Sequence, residues 1–106
     1  MEESFQLIVK RSETSRWHVE HPVSVPSHEP VSERDRGMLT RECAKVCIPP
    51  VRAQVSSDAV SNRVIAVKLG AEYSSEADAR SPETEQAFRR SDANVTQVLE
   101  RRLMAG

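Results

Sequence analysis

His18, His21, His28, Cys43 and Cys47 fall within one third of the chain, and they are the residues best suited to hold a metal or to support nucleophilic chemistry. A structural zinc ion takes four such ligands in a tetrahedron, usually from two closely spaced pairs. Cys43 and Cys47 are four apart and can share one helix face. The histidines precede them, however, and no second cysteine pair follows. This spacing predicts exposed loop histidines and cysteines buried as small apolar groups, with no metal and no cofactor. A small zinc-binding regulator is therefore only the third-ranked reading.

Nucleophilic catalysis has its ingredients here only as composition: thirteen serines, two cysteines, three histidines and many carboxylates. No G-x-S-x-G elbow, Gly-rich phosphate loop or H-E-x-x-H segment organises them. Three glycines leave few places where backbone can approach a ligand, and the nearest thing to a nucleophile and base is Cys47 with His21. No enzyme activity and no small-molecule substrate are expected, because a core this thin is hard to shape around a substrate.

Charge is the remaining source of chemistry. Twelve arginines against three lysines supply planar forks suited to phosphate and carboxylate. The net charge is −1, evenly distributed, so bulk attraction to nucleic acid is not predicted. Arg52, Gln54 and Lys68, with Arg63, form one local candidate for phosphate contact on the polar face of a hairpin, and Arg101 and Arg102 form another. A solvated face is the simpler reading of both.

The elements that would position these groups are legible in part. Val51, Ala53 and Val55 alternate with polar residues, as do Ile65, Val67, Leu69, Ala71 and Tyr73, and this period of two predicts a half-buried central hairpin. Phe5 to Lys10 and Trp17 to His21 read as an N-terminal hairpin. Residues 22–37 carry Pro22, Pro26 and Pro30 and read as a proline-rich loop or arm. Met38 to Cys47 fits a helix or a segment finishing as a strand, and Pro49-Pro50 must end any helix there. Residues 74–81 read as a polar loop. Ser81-Pro82-Glu83 then starts an amphipathic helix, whose face is Phe88, Val95, Val98, Leu99 and Leu103 and which Gly106 closes, with a break near Arg90 as an alternative.

The expected fold is one α+β domain over 1–106: a small antiparallel sheet of two hairpins with a C-terminal amphipathic helix. Leu, Ile, Val and Phe number 23 of 106, and aromatics are 4%, so the core is thin. A chain with so little oil is expected to gain burial from a second copy, through the face of Phe88, Val95, Val98, Leu99 and Leu103 or through a strand edge. The function expected first is thus a non-enzymatic, self-associating structural or protein-interaction protein. The Met-Glu-Glu-Ser start lacks the marks of a secretory signal and no run is long enough to span a bilayer, so a cytoplasmic location without membrane association is expected.

The order of features resembles that of the coat proteins of single-stranded RNA bacteriophages. The likeness is carried by Ser4-Phe5-Gln6 opening a hairpin, Lys45-Val46 and Cys47 before Val51-Arg52, and Ser56-Ser57 with Asn62-Arg63 in the turn. Ile65 with Val67-Lys68, and Ser91-Asp92 opening a terminal helix, complete it. The resemblance implies a dimer whose helices clasp the partner's sheet, an inner face that binds an RNA hairpin with Arg52 and Lys68 on it, and a virion location. The chain is short for that family, and Pro49-Pro50 interrupts where its strand is continuous.

Overall fold

The computed structural model describes residues 5–104. Ser4 and Gly106, named above, lie outside the described residues. Two hairpins build a four-stranded antiparallel sheet: β1 (Ile8–Arg11) with β2 (Trp17–Val23), and β3 (Arg52–Asp58) with β4 (Arg63–Tyr73). Their order is β1-β2-β4-β3, so β2 and β4 are central and β1 and β3 are edges. Helix α1 (Glu33–Val46) follows the first hairpin; a single turn, α2 (Glu76–Ala79), and the long α3 (Pro82–Leu103) follow the second. The expected α+β class, with its two hairpins and C-terminal helix, is what forms.

Each helix start is fixed by a serine. Ser32, Ser75 and Ser81 accept hydrogen bonds from the backbone N–H groups of Asp35, Asp78 and Thr84, satisfying donors that the first turn leaves open. In α3 the Pro82 ring occupies the first turn, where a missing N–H has no consequence. The helix runs unbroken through Arg90 and Asp92.

Three boundaries differ from the sequence reading. The proline-rich arm is shorter than 22–37, because Pro22 and Val23 continue β2 and the Ser32 cap starts α1 ahead of Gly37. Pro22 lies past the last β1 partner, Ile8 opposite Glu20, where the strand has become an edge on that side. The 74–81 loop contains the turn of α2, whose Ala79 is fully buried. Ile65 does not share a face with Val67 and Leu69. The β3–β4 register pairs Ser56 with Ala66 but Ser57 with Val64, leaving Ile65 as the extra residue of a bulge. The bulge turns Val64 inward, 4% exposed, and leaves Ile65 63% exposed.

Core side chains come from one sheet face and both long helices. Val19, Val23, Val67 and Leu69 meet Leu39 and Cys43 of α1 and Phe88, Val95, Val98, Leu99 and Leu103 of α3. Trp17, opposite Tyr73, packs on the margin of this cluster. The face of α3 assigned above to self-association is therefore covered within one chain; Phe88, Val95 and Leu99 have no exposed surface. Two sheet strands and α1 already supply the burial that a second copy was expected to provide.

Connectivity makes the molecule two ββα units set about the central β2–β4 pair, a repeat absent from the residues themselves. Val9 opposite Val19 in the first unit corresponds to Ala53 opposite Leu69 in the second, and all four face the helices. One face of the sheet is consequently filled, and among the described residues no layer covers the other.

Candidate binding face

On the uncovered face, register sets one row of side chains across all four strands: Ile8, Glu20, Gly70 and Arg52. The neighbouring rows bring Lys10, His18 and Glu72 to one side of it, and Lys68 with Gln54 to the other. Directly opposed side chains on one face sit about 5 Å apart, so these groups are in mutual reach.

Glu20 organises the left half of this surface. Its carboxylate lies 3.3 Å from Lys10 Nζ, 2.9 Å from His18 Nε2 and 3.4 Å from Lys68 Nζ. Burial pushes this carboxyl up, but the three donors outweigh it and hold it below the ordinary carboxylate value. Arg16 Nε pairs with Glu72 at 3.2 Å. Arg52 and Gln54 make no ion pair or side-chain hydrogen bond among the described residues.

At the centre the face is hollow. A depression of about 600 Å³, open to solvent, lies over Gly70, with Arg16, His18, Arg52, Gln54, Lys68 and Glu72 around it. Glycine is not needed there for backbone reasons, since no glycine among the described residues has positive φ. Nor does crowding demand it: a Cβ on Gly70 would meet His18 Cε1 at 3.4 Å, an ordinary contact with a movable ring. The missing side chain lets the His18 ring lie close over this part of β4, at the wall of the depression.

Compared with protein-family models, with curated proteins and with solved structures, the chain matches none. Assignment of a role rests on the geometry.

Of the five cationic residues singled out for nucleic acid, the fold brings only two together. Arg52 and Lys68 flank the hollow. Arg63 stands at the far end of the hairpin opposite Asp58. Arg101 and Arg102 are engaged elsewhere: both donate to the Glu42 carboxylate, Arg101 Nη2 at 3.2 Å and Arg102 through Nε at 3.1 Å and through Nη2, joining α3 to α1. The Arg102 and Arg101 guanidiniums hold the Glu42 carboxyl down at about 2.

The histidines and cysteines are dispersed. Among the described residues no three His, Cys, Asp or Glu side chains group as metal ligands. His18 serves Glu20 on the open face. In the arm, His28 donates from Nδ1 to the Pro26 carbonyl at 3.0 Å and accepts at Nε2 from the Val64 N–H at 3.1 Å, so it ties the arm to the bulge. Cys43 and Cys47 lie in the core, where burial pushes the Cys43 thiol up to about 11 and raises that of Cys47 as well. The Cys47 thiol donates to the Cys43 carbonyl.

His21 is buried on the helix side of the sheet. Its Nδ1–H donates to the Gln6 carbonyl at 2.9 Å, while Nε2 meets Asp92 Oδ2 of α3 at 2.6 Å. Thr96 Oγ1 donates to the other Asp92 oxygen, and the Phe5 ring lies 4.2 Å from the imidazole. The cluster bolts the start of the chain to α3.

Sequence reasoning passed over Glu20, Gly70 and Asp92 as site residues. Glu20 occupies a polar strand position like many others. A solitary glycine inside an alternating strand was the available signal for Gly70. Asp92 is 71 residues from His21 and carries no local mark of its partner.

Proposed function

We propose that this chain is a non-enzymatic binding protein that presents the uncovered face of its sheet to a ligand. The observation that carries this is the polar hollow beside Gly70, bordered by Arg52, which has no partner among the described residues, on the sheet face that no described helix covers. The state of the nucleophiles supports binding over catalysis: both thiols are buried and held protonated, and each histidine ring is engaged in a hydrogen bond. None of the described helices is long and apolar enough to cross a membrane.

An RNA backbone fits this face less well than a compact ligand does. Glu20 and Glu72 interleave with Arg52 and Lys68, and Arg101 and Arg102 are held on the helix side by Glu42. Nucleic acid that stays with the protein through purification and is released by salt would reverse this ranking.

A photo-crosslinking residue at Gln54, on the face, tests the proposal against one at Gln86, on the exposed side of α3. Irradiation in cells should give discrete mass adducts at position 54 and none at 86. Adducts of equal yield at both positions, or only at 86, would overturn it.

Self-association is a second reading, supported by the β3 edge. Strand β3 ends the sheet with seven residues and no outer neighbour among the described residues, an arrangement that can pair with its own copy about a twofold axis. Sedimentation velocity over the micromolar range tests it, and a monomer throughout removes it.

A further inference from the structure

The hollow over Gly70 differs from an ordinary solvated sheet face in two independent ways. First, glycine in the interior of a central strand weakens that strand, and neither φ nor crowding explains it here. Glycine in such a place often marks a bulge, a bend or a close approach, and within the chain the group that approaches Gly70 is the His18 ring, at the wall of the depression. Second, the bordering donors are unevenly satisfied. Arg16 is paired with Glu72 and Lys68 with Glu20, whereas the Arg52 guanidinium and the Gln54 amide make no hydrogen bond among the described residues.

These donors define the ligand. Around the depression Arg16 pairs with Glu72 and Lys68 shares Glu20 with Lys10, so Lys10, Arg16, Arg52 and Lys68 stand against Glu20 and Glu72, a surplus of two positive charges. A guanidinium presents a flat pair of N–H groups to two oxygens of one phosphate or carboxylate, and a lysine and an amide alongside supply further donors. The span of the anion is limited by its surroundings. A polymer crossing the face in either direction would pass over Glu20 or Glu72, so the charge must be concentrated in one group.

We propose that the Gly70 hollow is a binding site for a small phosphate monoester, whose dianion is gripped by Arg52, Gln54 and Lys68 beside Gly70 and the His18 ring. This rests on the reading of the open face as the binding surface, and it names the ligand class. The thin core, which argued against an enclosed substrate, does not bear on it, because the site is built on the surface of the sheet. The organic part of the ester lies toward His18 and Pro50, which also line the depression.

The test is a titration of the 15N-labelled protein with inorganic phosphate, ribose 5-phosphate and a phosphoserine peptide, against chloride at matched ionic strength. Saturable amide shifts centred on Gly70, Arg52 and Gln54 are expected, with the sugar phosphate binding more tightly than the peptide. Arg52→Gln should weaken binding at least tenfold. Arg63→Gln, at an exposed arginine at the far end of the hairpin that has no partner among the described residues, should leave it unchanged. Gly70→Ala should retain a native spectrum and weaken binding severalfold. Shifts that do not saturate, or equal losses in the two arginine variants, overturn the proposal, and tighter binding of the peptide overturns the small-molecule source. If no phosphate binds while crosslinks at position 54 persist, the ligand class falls and the binding face stands; if neither is seen, both fall.

Discussion

Replacing Asp92 by alanine isolates the buried pair that holds the N-terminal segment to α3. The substitution removes a charge-assisted contact of 2.6 Å to a histidine that is 8% exposed, along with the hydrogen bond from Thr96. Hydrogen bonds to charged groups contribute about 1.5–3 kcal/mol, and a buried donor left unsatisfied costs a similar amount. The Asp92 side chain is 26% exposed, so water can reach part of the vacated site and the loss falls within that range without doubling it. Alanine also favours the helix interior over aspartate by about 0.5 kcal/mol. The net expectation is about 2 kcal/mol of destabilisation. With a urea m-value of about 1.5 kcal/mol/M, the midpoint falls by about 1.3 M. Far-UV circular dichroism melts of four proteins, wild type, Asp92→Ala, His21→Phe and the double variant, give the coupling directly. Asp92→Ala should cost at least 1 kcal/mol less once His21 is phenylalanine. An equal cost in both backgrounds would show that the two residues act independently and would refute the bolt.

Three further outcomes follow from other parts of the fold. Glu42 is held at about 2 by Arg102 and Arg101, below its ordinary 4.5, so its contribution is fully present above pH 4.5 and is lost as pH falls toward 2; Glu42→Gln should flatten that part of an acid melt. The Cys43 thiol is pushed up from 9 to about 11, mainly by burial, so this stability is complete below pH 9 and fades as pH rises toward 11. At pH 8, both thiols should react with an aromatic disulfide reagent only after unfolding, and reaction of the native protein would contradict the core placement. Val64→Ala should destabilise by roughly 1.5 kcal/mol, at about 0.8 per buried methylene, whereas Ile65→Ala should stay within about 0.5. Equal effects in thermal melts would remove the bulge.

The hairpins and α3 were legible because their signals are local. Alternation from Val67 to Ala71 needs only the pleat, and Ser81-Pro82 needs only the first turn of a helix. The same alternation misled at Ile65, since an extra residue reverses the phase and leaves no trace in composition. Ser32 carried a capping signal for α1, but the prolines before it and Gly37 after it concealed the start. The apolar stripe of α3 was read correctly and its destination was not, because a stripe states that something covers it and not which chain does so. The open face was half visible: Arg52 and Lys68 were named, but their convergence over Gly70 depends on the β3–β4 and β2–β4 registers together.

The back-to-back arrangement of the ββα units has a consequence for how the polypeptide can be divided. Each half keeps its own hairpin and its own helix, and they meet at the seven-residue ladder between β2 and β4 and at the packing of α1 on α3. The stretch from Cys47 to Val51 is the link between them, and it is stapled to α3 by the Ile48 N–H on Ser91 and by Asn94 on the Val46 carbonyl. A chain nicked in that stretch retains every strand pairing and every cap. Two separately made fragments therefore have the information to find each other and restore the native assembly, which makes this link the natural place to split the protein for complementation.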